Sequence, residues 1–133
     1  MRKIEHIGIA VRDLEAANDL YEKLLGEPPY KMEEVASEGV RTSFFRSGPN
    51  KIELLEATSA DSPIARYLEK RGEGIHHIAF DVADIRAEMQ RLKEAGFTIL
   101  SEEPKRGADN KLVAFLHPKG THGVLVELCQ EIS

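Results

Sequence analysis

The chain has 133 residues, 41% of them hydrophobic and 31% charged, the balance of one globular domain or of two small modules sharing a core; a wholly disordered chain is excluded. Against 18 basic residues stand 23 acidic ones, a net charge of −5 that offers no basic face to nucleic acid. A single cysteine, Cys129, excludes an intramolecular disulfide framework, and with no apolar run approaching the ~20 residues of a membrane span or resembling a secretion signal, the expected location is cytoplasmic.

Ile4 to Val11 alternates partly and is rich in Ile, Val and Gly, which predicts a half-buried strand. Asp13 stands where a helix N-cap belongs. Leu14, Ala17, Leu20, Tyr21, Leu24 and Leu25 then recur at helical spacing up to Gly26, a C-terminal glycine. Strand-like runs follow over Val40 to Phe45 and Lys51 to Glu56, separated by the turn Ser47-Gly48-Pro49-Asn50. Ser62 can cap a short linking helix with Pro63 at its first position, and Arg71 to Gly74 read as a flexible joint. In the second half Asp84 takes the cap position. Ile85, Met89, Leu92 and Ala95 form the apolar stripe of its helix, and Gly96 ends it. Further strands are expected around Thr98 to Ser101, over Leu112 to Leu116 and over Val124 to Cys129, with turn chemistry at His117-Pro118-Lys119-Gly120. The fold class is α+β: two tandem βαβββ modules, over about residues 1–58 and 74–133, joined by a linker helix over about 59–73.

The two modules echo each other residue by residue. Glu5-His6-Ile7-Gly8-Ile9-Ala10-Val11 returns 71 residues later as His76-His77-Ile78-Ala79-Phe80-Asp81-Val82, and Ser43-Phe44-Phe45 returns at the same offset as Ala114-Phe115-Leu116. The second copy then gains three residues, so that Ile52-Glu53-Leu54 returns as Val126-Glu127-Leu128. A repeat can mean only a duplicated fold. This one keeps one imidazole and one carboxylate per copy, and the expectation is one shared cleft with four ligands, His6, Glu53, His77 and Glu127. Taken singly, a histidine beside an apolar strand is ordinarily structural and a glutamate at a strand end ordinarily solvated. Equivalent positions in both copies weigh against that account. Mixed imidazole and carboxylate ligands suit a divalent ion of the Zn, Mn, Fe, Co and Ni group, and four protein ligands leave positions open to polarise a substrate carbonyl. Adjacent strand residues face opposite ways, so His77 is the ligand and His76 a packing or surface residue. His117 and His122 flank turns and read as loop residues.

Paired βαβββ modules with one His and one Glu each resemble the vicinal oxygen chelate superfamily, to which the glyoxalases belong. Within it the chain is similar to the methylmalonyl-CoA epimerase family over essentially its whole length. The most specific stretches are Asp61-Ser62-Pro63-Ile64-Ala65, Gly74-Ile75-His76-His77-Ile78-Ala79, Ser101-Glu102-Glu103-Pro104-Lys105, and Phe115-Leu116-His117-Pro118-Lys119 leading into Gly123-Val124-Leu125-Val126-Glu127-Leu128. The resemblance implies a metal-dependent interconversion of (2R)- and (2S)-methylmalonyl-CoA, by removal and return of the C2 proton through a stabilised enolate. It also implies a homodimer. It carries Glu127 over as both metal ligand and one member of the acid/base pair. Some members have a second catalytic carboxylate where this chain has Thr42, and threonine is no general base; Glu38 and Lys51 are nearby alternatives, with Lys51 also a weak candidate for holding the substrate carboxylate. Two other readings are a glyoxalase I, kept open by Glu53, and a non-catalytic binding protein of the same fold, opposed by the retention of all four ligands.

Overall fold

A computed structural model describes residues 1–132 of the chain. The elements run β1 (Lys3–Ala10), α1 (Leu14–Leu25), β2 (Lys31–Val35), β3 (Val40–Ser47), β4 (Asn50–Ala57), α2 (Pro63–Arg71), β5 (Gly74–Asp81), α3 (Ile85–Glu94), β6 (Lys105–Gly107), β7 (Lys111–Leu116) and β8 (Val126–Glu131). They form two compact units. The first is His6–His76; the second is Met1–Glu5 together with the chain from His77 onward.

In the first unit β3 lies antiparallel between β2 and β4, and β4 runs parallel to β1. The helices are fixed locally. The Asp13 carboxylate accepts from Ala16 N at 3.2 Å and so satisfies a donor that the first turn leaves unpaired. At the other end Gly26 adopts φ 83°, a left-handed turn that glycine enters without Cβ strain, and its N–H closes on Glu22 O. Ser62 caps α2 through Ala65 N at 3.1 Å, with Pro63 at the first helical position. The two faces of the sheet then bury different sets. α1 covers one face, where Val11, Leu14, Phe45 and Leu54 are 5% exposed or less; α2 covers part of the other through Ile64 and Leu68 against Ala10, Val40 and Leu55. Each fully buried Leu or Phe is worth about 1.5–3 kcal/mol, so these clusters hold the helices where propensity alone would not.

The second unit repeats the plan: β8 is parallel to β5 and antiparallel to β7, which pairs antiparallel with β6. Asp84 caps α3 through Ala87 N at 3.1 Å, and Ile85, Met89 and Leu92 bury against Val82, Ala114, Leu116 and Leu128. The helix ends at Ala95 in right-handed geometry, with Gly96 taking the positive φ of 101° one residue later. A further repeated device has no local signal. Glu56 of β4 accepts from Leu14 N at 2.8 Å, and its counterpart Gln130 of β8 accepts from Ile85 N at 2.8 Å. In both units the last strand of the ladder thus holds the helix N-terminus, where four N–H groups lack helical partners.

Three expectations are corrected. The strand around Thr98 to Ser101 is a single bridge, Ile99 to Leu116, and the edge strand proper is β6. Pro104 has no N–H to give a ladder, and Ser101 Oγ donates to Glu103 O, so the chain leaves the sheet edge between the two pieces. The turn at His117-Pro118-Lys119-Gly120 is a 3-10 helix, Pro118–Thr121, capped by His117 Nδ1 accepting from Lys119 N. β8 begins at Val126 rather than Val124: His122 and Gly123 take positive φ, 56° and 86°, and Val124 N still donates back into the turn, to Thr121 O at 3.2 Å. The predicted joint holds the end of α2, then Gly72 at φ 76° and Glu73, whose carboxylate accepts from Arg12 N at 2.8 Å, and Gly74 already opens β5.

Candidate functional site

Each unit buries one imidazole beside one carboxylate. In the first, His6 stands on β1 and Glu53 on the parallel neighbour β4; the ladder places Gly8 opposite Glu53 and Lys51 opposite His6. Gly8 adds no side chain between them, and His6 Nε2 lies 3.3 Å from Glu53 Oε1 with both side chains 6% exposed. In the second unit His77 on β5 and Glu127 on β8 repeat the arrangement. The small Ala79 is opposite Glu127, and His77 Nε2 lies 3.3 Å from Glu127 Oε1, with side chains 3% and 7% exposed.

The donor geometry fits a divalent ion. With metal–ligand bonds of about 2.1 Å, two donors sit about 3.0 Å apart at 90° and about 3.4 Å apart at a tetrahedral angle, a range that brackets both pairs. The chemistry fits as well. A buried carboxylate needs a cation or hydrogen-bond donors to offset its lost hydration, and a neutral imidazole with a carboxylate is the ligand set of the Zn, Mn, Co and Ni group.

An aromatic ring flanks each carboxylate. Phe44 is directly opposite Glu53 in the β3–β4 ladder and Phe115 directly opposite Glu127 in the β7–β8 ladder. Phe44 is 1% exposed and packs on Tyr30, while Phe115 meets the His77 ring edge-on at 6.2 Å between centroids. Such walls exclude water and strengthen the electrostatics beside them. The two phenylalanines are the same position of the repeat, so the sequence held the signal; their place beside the carboxylates needed the register.

The remaining candidates separate by position. Lys51 shares the face of Glu53 and holds its ammonium 5.9 Å from the Tyr30 ring centroid, while Arg46 stacks on that ring at 4.2 Å. Thr42 is on the same face, 1% exposed and opposite Leu55. Glu38 lies in the 3-10 turn Ala36–Glu38. His76 packs its ring edge-on against Tyr67 at 5.0 Å. Cys129, fully buried, shares the face of Glu127 in β8. Burial pushes its thiol pKa up, and the nearby Glu127 and Glu5 carboxylates push it further the same way. On the same side of the second unit the Asp81 carboxylate accepts from Arg2 Nε at 2.8 Å. Among the described residues no helix is long and apolar enough to cross a membrane.

Comparison with known proteins gives the arrangement its context. Residues 5–115 match the model of the Glyoxalase/Bleomycin resistance protein/Dioxygenase superfamily. The chain is 48% identical to the ethylmalonyl-CoA/methylmalonyl-CoA epimerase of Cereibacter sphaeroides, over 96% of this chain and 97% of that one. It is 43% identical to the mitochondrial methylmalonyl-CoA epimerase of Homo sapiens, over 96% of this chain and 73% of that one. A solved structure of a variant Streptomyces coelicolor methylmalonyl-CoA epimerase in complex with 2-nitronate-propionyl-CoA superimposes with a TM-score of 0.95 at 37% identity, covering 100% of this chain and 99% of that one.

Proposed function

Because the chain belongs to the Glyoxalase/Bleomycin resistance protein/Dioxygenase superfamily, with epimerase relatives along nearly its full length, we propose that it interconverts (2R)- and (2S)-methylmalonyl-CoA. The observation that carries the reading is this likeness together with the two buried imidazole–carboxylate pairs, His6 with Glu53 and His77 with Glu127. In this reading His6, Glu53, His77 and Glu127 are ligands for a divalent ion. Bound there, a divalent ion would supply Lewis acidity toward the charge left when the C2 proton departs, the largest expected share of its stabilisation.

The chain's own groups do the rest. Glu127 accepts the C2 proton on one face and returns it in the reverse direction. Phe44 and Phe115 keep water from the carboxylates. Lys51, on the face of Glu53, is the candidate partner for the substrate carboxylate in this reading. The metal is Co, Zn, Mn or Ni, the protein works as a homodimer, and its setting is the cytoplasm, in keeping with a lone buried thiol.

The test is exchange at C2. Protein incubated with (2R)-methylmalonyl-CoA in D2O should form the 2S epimer carrying solvent deuterium, lose that activity to a chelator and regain it with one of the four ions. No exchange with metal at full occupancy refutes the reading, and turnover of a glutathione hemithioacetal in its place would assign the glyoxalase I reaction.

A further inference from the structure

Lys51 is the first unit's candidate for the substrate carboxylate, and the second unit holds a stronger one, Lys111. Residues opposed in a ladder share a face. Between β7 and β8 the opposed pairs are Lys111 with Glu131, Val113 with Cys129 and Phe115 with Glu127. One face of the second unit therefore carries Glu127 toward one end and Lys111 toward the other, with the short side chains of Val113 and Cys129 between them. α3 packs on the opposite face, against Ala114, Leu116 and Leu128.

Lys111 is 7% exposed, and a lysine is almost never buried without a partner. Its neighbours in the ladders are Gly107 on β6, which brings no side chain, and Glu131 on β8. Glu131 is exposed and forms no ion pair with it. The unit also buries Glu5, Asp81 and Glu127. Asp81 accepts from Arg2, and among the described residues none of the three is ion-paired with Lys111. Lys111 is nonetheless close to this row. Burial raises the Cys129 thiol pKa, Glu127 and Glu5 raise it further, and the Lys111 ammonium lowers it. A buried cation on the face of Glu127, with no protein anion on it, is the complement of an anion that a ligand brings.

We infer that Lys111 seats the free carboxylate of the substrate, and so selects thioesters that carry a second carboxylate on C2. The assignment rests on the epimerase reading and deepens it. Lys111 stands four residues along β7 from Phe115, the residue opposite Glu127, which sets it about 14 Å from Glu127 from Cα to Cα. The two long side chains, leaning toward each other over Val113 and Cys129, leave room for one short acyl group. With its carboxylate on the ammonium, the substrate presents C2 on the Glu127 side, where Glu127 takes the proton. Lys111 forms no bond to C2. Its charge offsets the first negative charge of the substrate while the second develops as the proton leaves.

Lys111→Met, which keeps most of the stem and drops the charge, decides the matter with two substrates in D2O. One is methylmalonyl-CoA; the other is 2-methylacetoacetyl-CoA, which has a neutral ketone in place of the carboxylate. The expected result is a fall of at least about 30-fold in kcat/KM for C2 exchange of methylmalonyl-CoA, and a change below about threefold for the ketone. Lys111→Arg should recover part of the loss, and Lys51→Met should cost less than Lys111→Met. Lys111→Gln should give the same split between substrates, which keeps the test available should the Met variant misfold. Methylmalonyl-CoA exchange within about threefold of wild type, an equal fall on both substrates, or metal lost in parallel with activity overturns the assignment. The reverse order of Lys51 and Lys111 returns the role to Lys51. A wild type that exchanges neither epimer of methylmalonyl-CoA refutes the epimerase reading itself, a different outcome from an active wild type with an indifferent variant.

Discussion

Replacing Ser43 by Ala should stabilise the protein. Ser43 is fully buried on β3, opposite Leu54 on the face that α1 covers, and its hydroxyl oxygen has no hydrogen-bond partner among the described residues. Burying a hydroxyl unpaired costs about 1–3 kcal/mol on protein mutational scales. Against this, Ala removes a few oxygen contacts and is the poorer strand former, together about 0.5–1 kcal/mol. The net expectation is a gain of about 1 kcal/mol, or a Tm rise of about 3 °C for a chain of this size. The second copy has already made the exchange: the equivalent residue is Ala114, 1% exposed in the core under α3. Urea unfolding followed by far-UV circular dichroism should show a raised midpoint at unchanged slope. Turnover should not change, because Ser43 faces away from Glu53. A loss of 1 kcal/mol or more would refute the reasoning and mean that the hydroxyl is paired in solution.

Other perturbations test the site and its frame. Glu127→Gln should lower epimerisation by about 10²–10⁴-fold while keeping a measurable part of the bound metal, read by single-turnover assay beside elemental analysis; near-normal turnover would remove Glu127 from proton transfer. Glu56→Ala should cost about 2 kcal/mol in chemical denaturation, since Leu14 N loses its acceptor and Arg41 its partner at 2.7 Å. Glu56→Gln should cost less, because an amide oxygen at the counterpart Gln130 already serves Ile85 N. The Arg91 hydrogen bond holds the Glu88 carboxyl below its ordinary value of 4.5. Its small stabilisation is complete above that value and fades as pH falls below it, so Glu88→Gln should lose that small increment at pH 7 and converge with the wild type as pH falls well below 4.5.

Much of this was legible in the chain itself. Asp13, Ser62 and Asp84 marked the helix starts because capping is a contact between residues three apart, and Gly26 marked an end because a positive φ is a property of one residue. The repeat named His6, Glu53, His77 and Glu127 because duplication preserves chemistry along with fold. Tertiary structure decided what depends on register. Phe44 and Phe115 stand opposite the carboxylates in their ladders, and Glu56 and Gln130 reach the helix starts by side-chain hydrogen bonds, contacts that join residues 9 to 45 apart. Sliding such a strand by one residue would turn every side chain to the other face, and local propensity is nearly blind to that choice; burial of the two apolar faces fixes it. Thr98 to Ser101 shows the same limit from the other side. Its residues read as a strand, but the edge of β7 they would pair with is shared with β6, and Pro104 divides it. What lay within one turn of chain, or was copied once along it, the sequence determined; what required two distant segments to meet in register, only the folded sheet could decide.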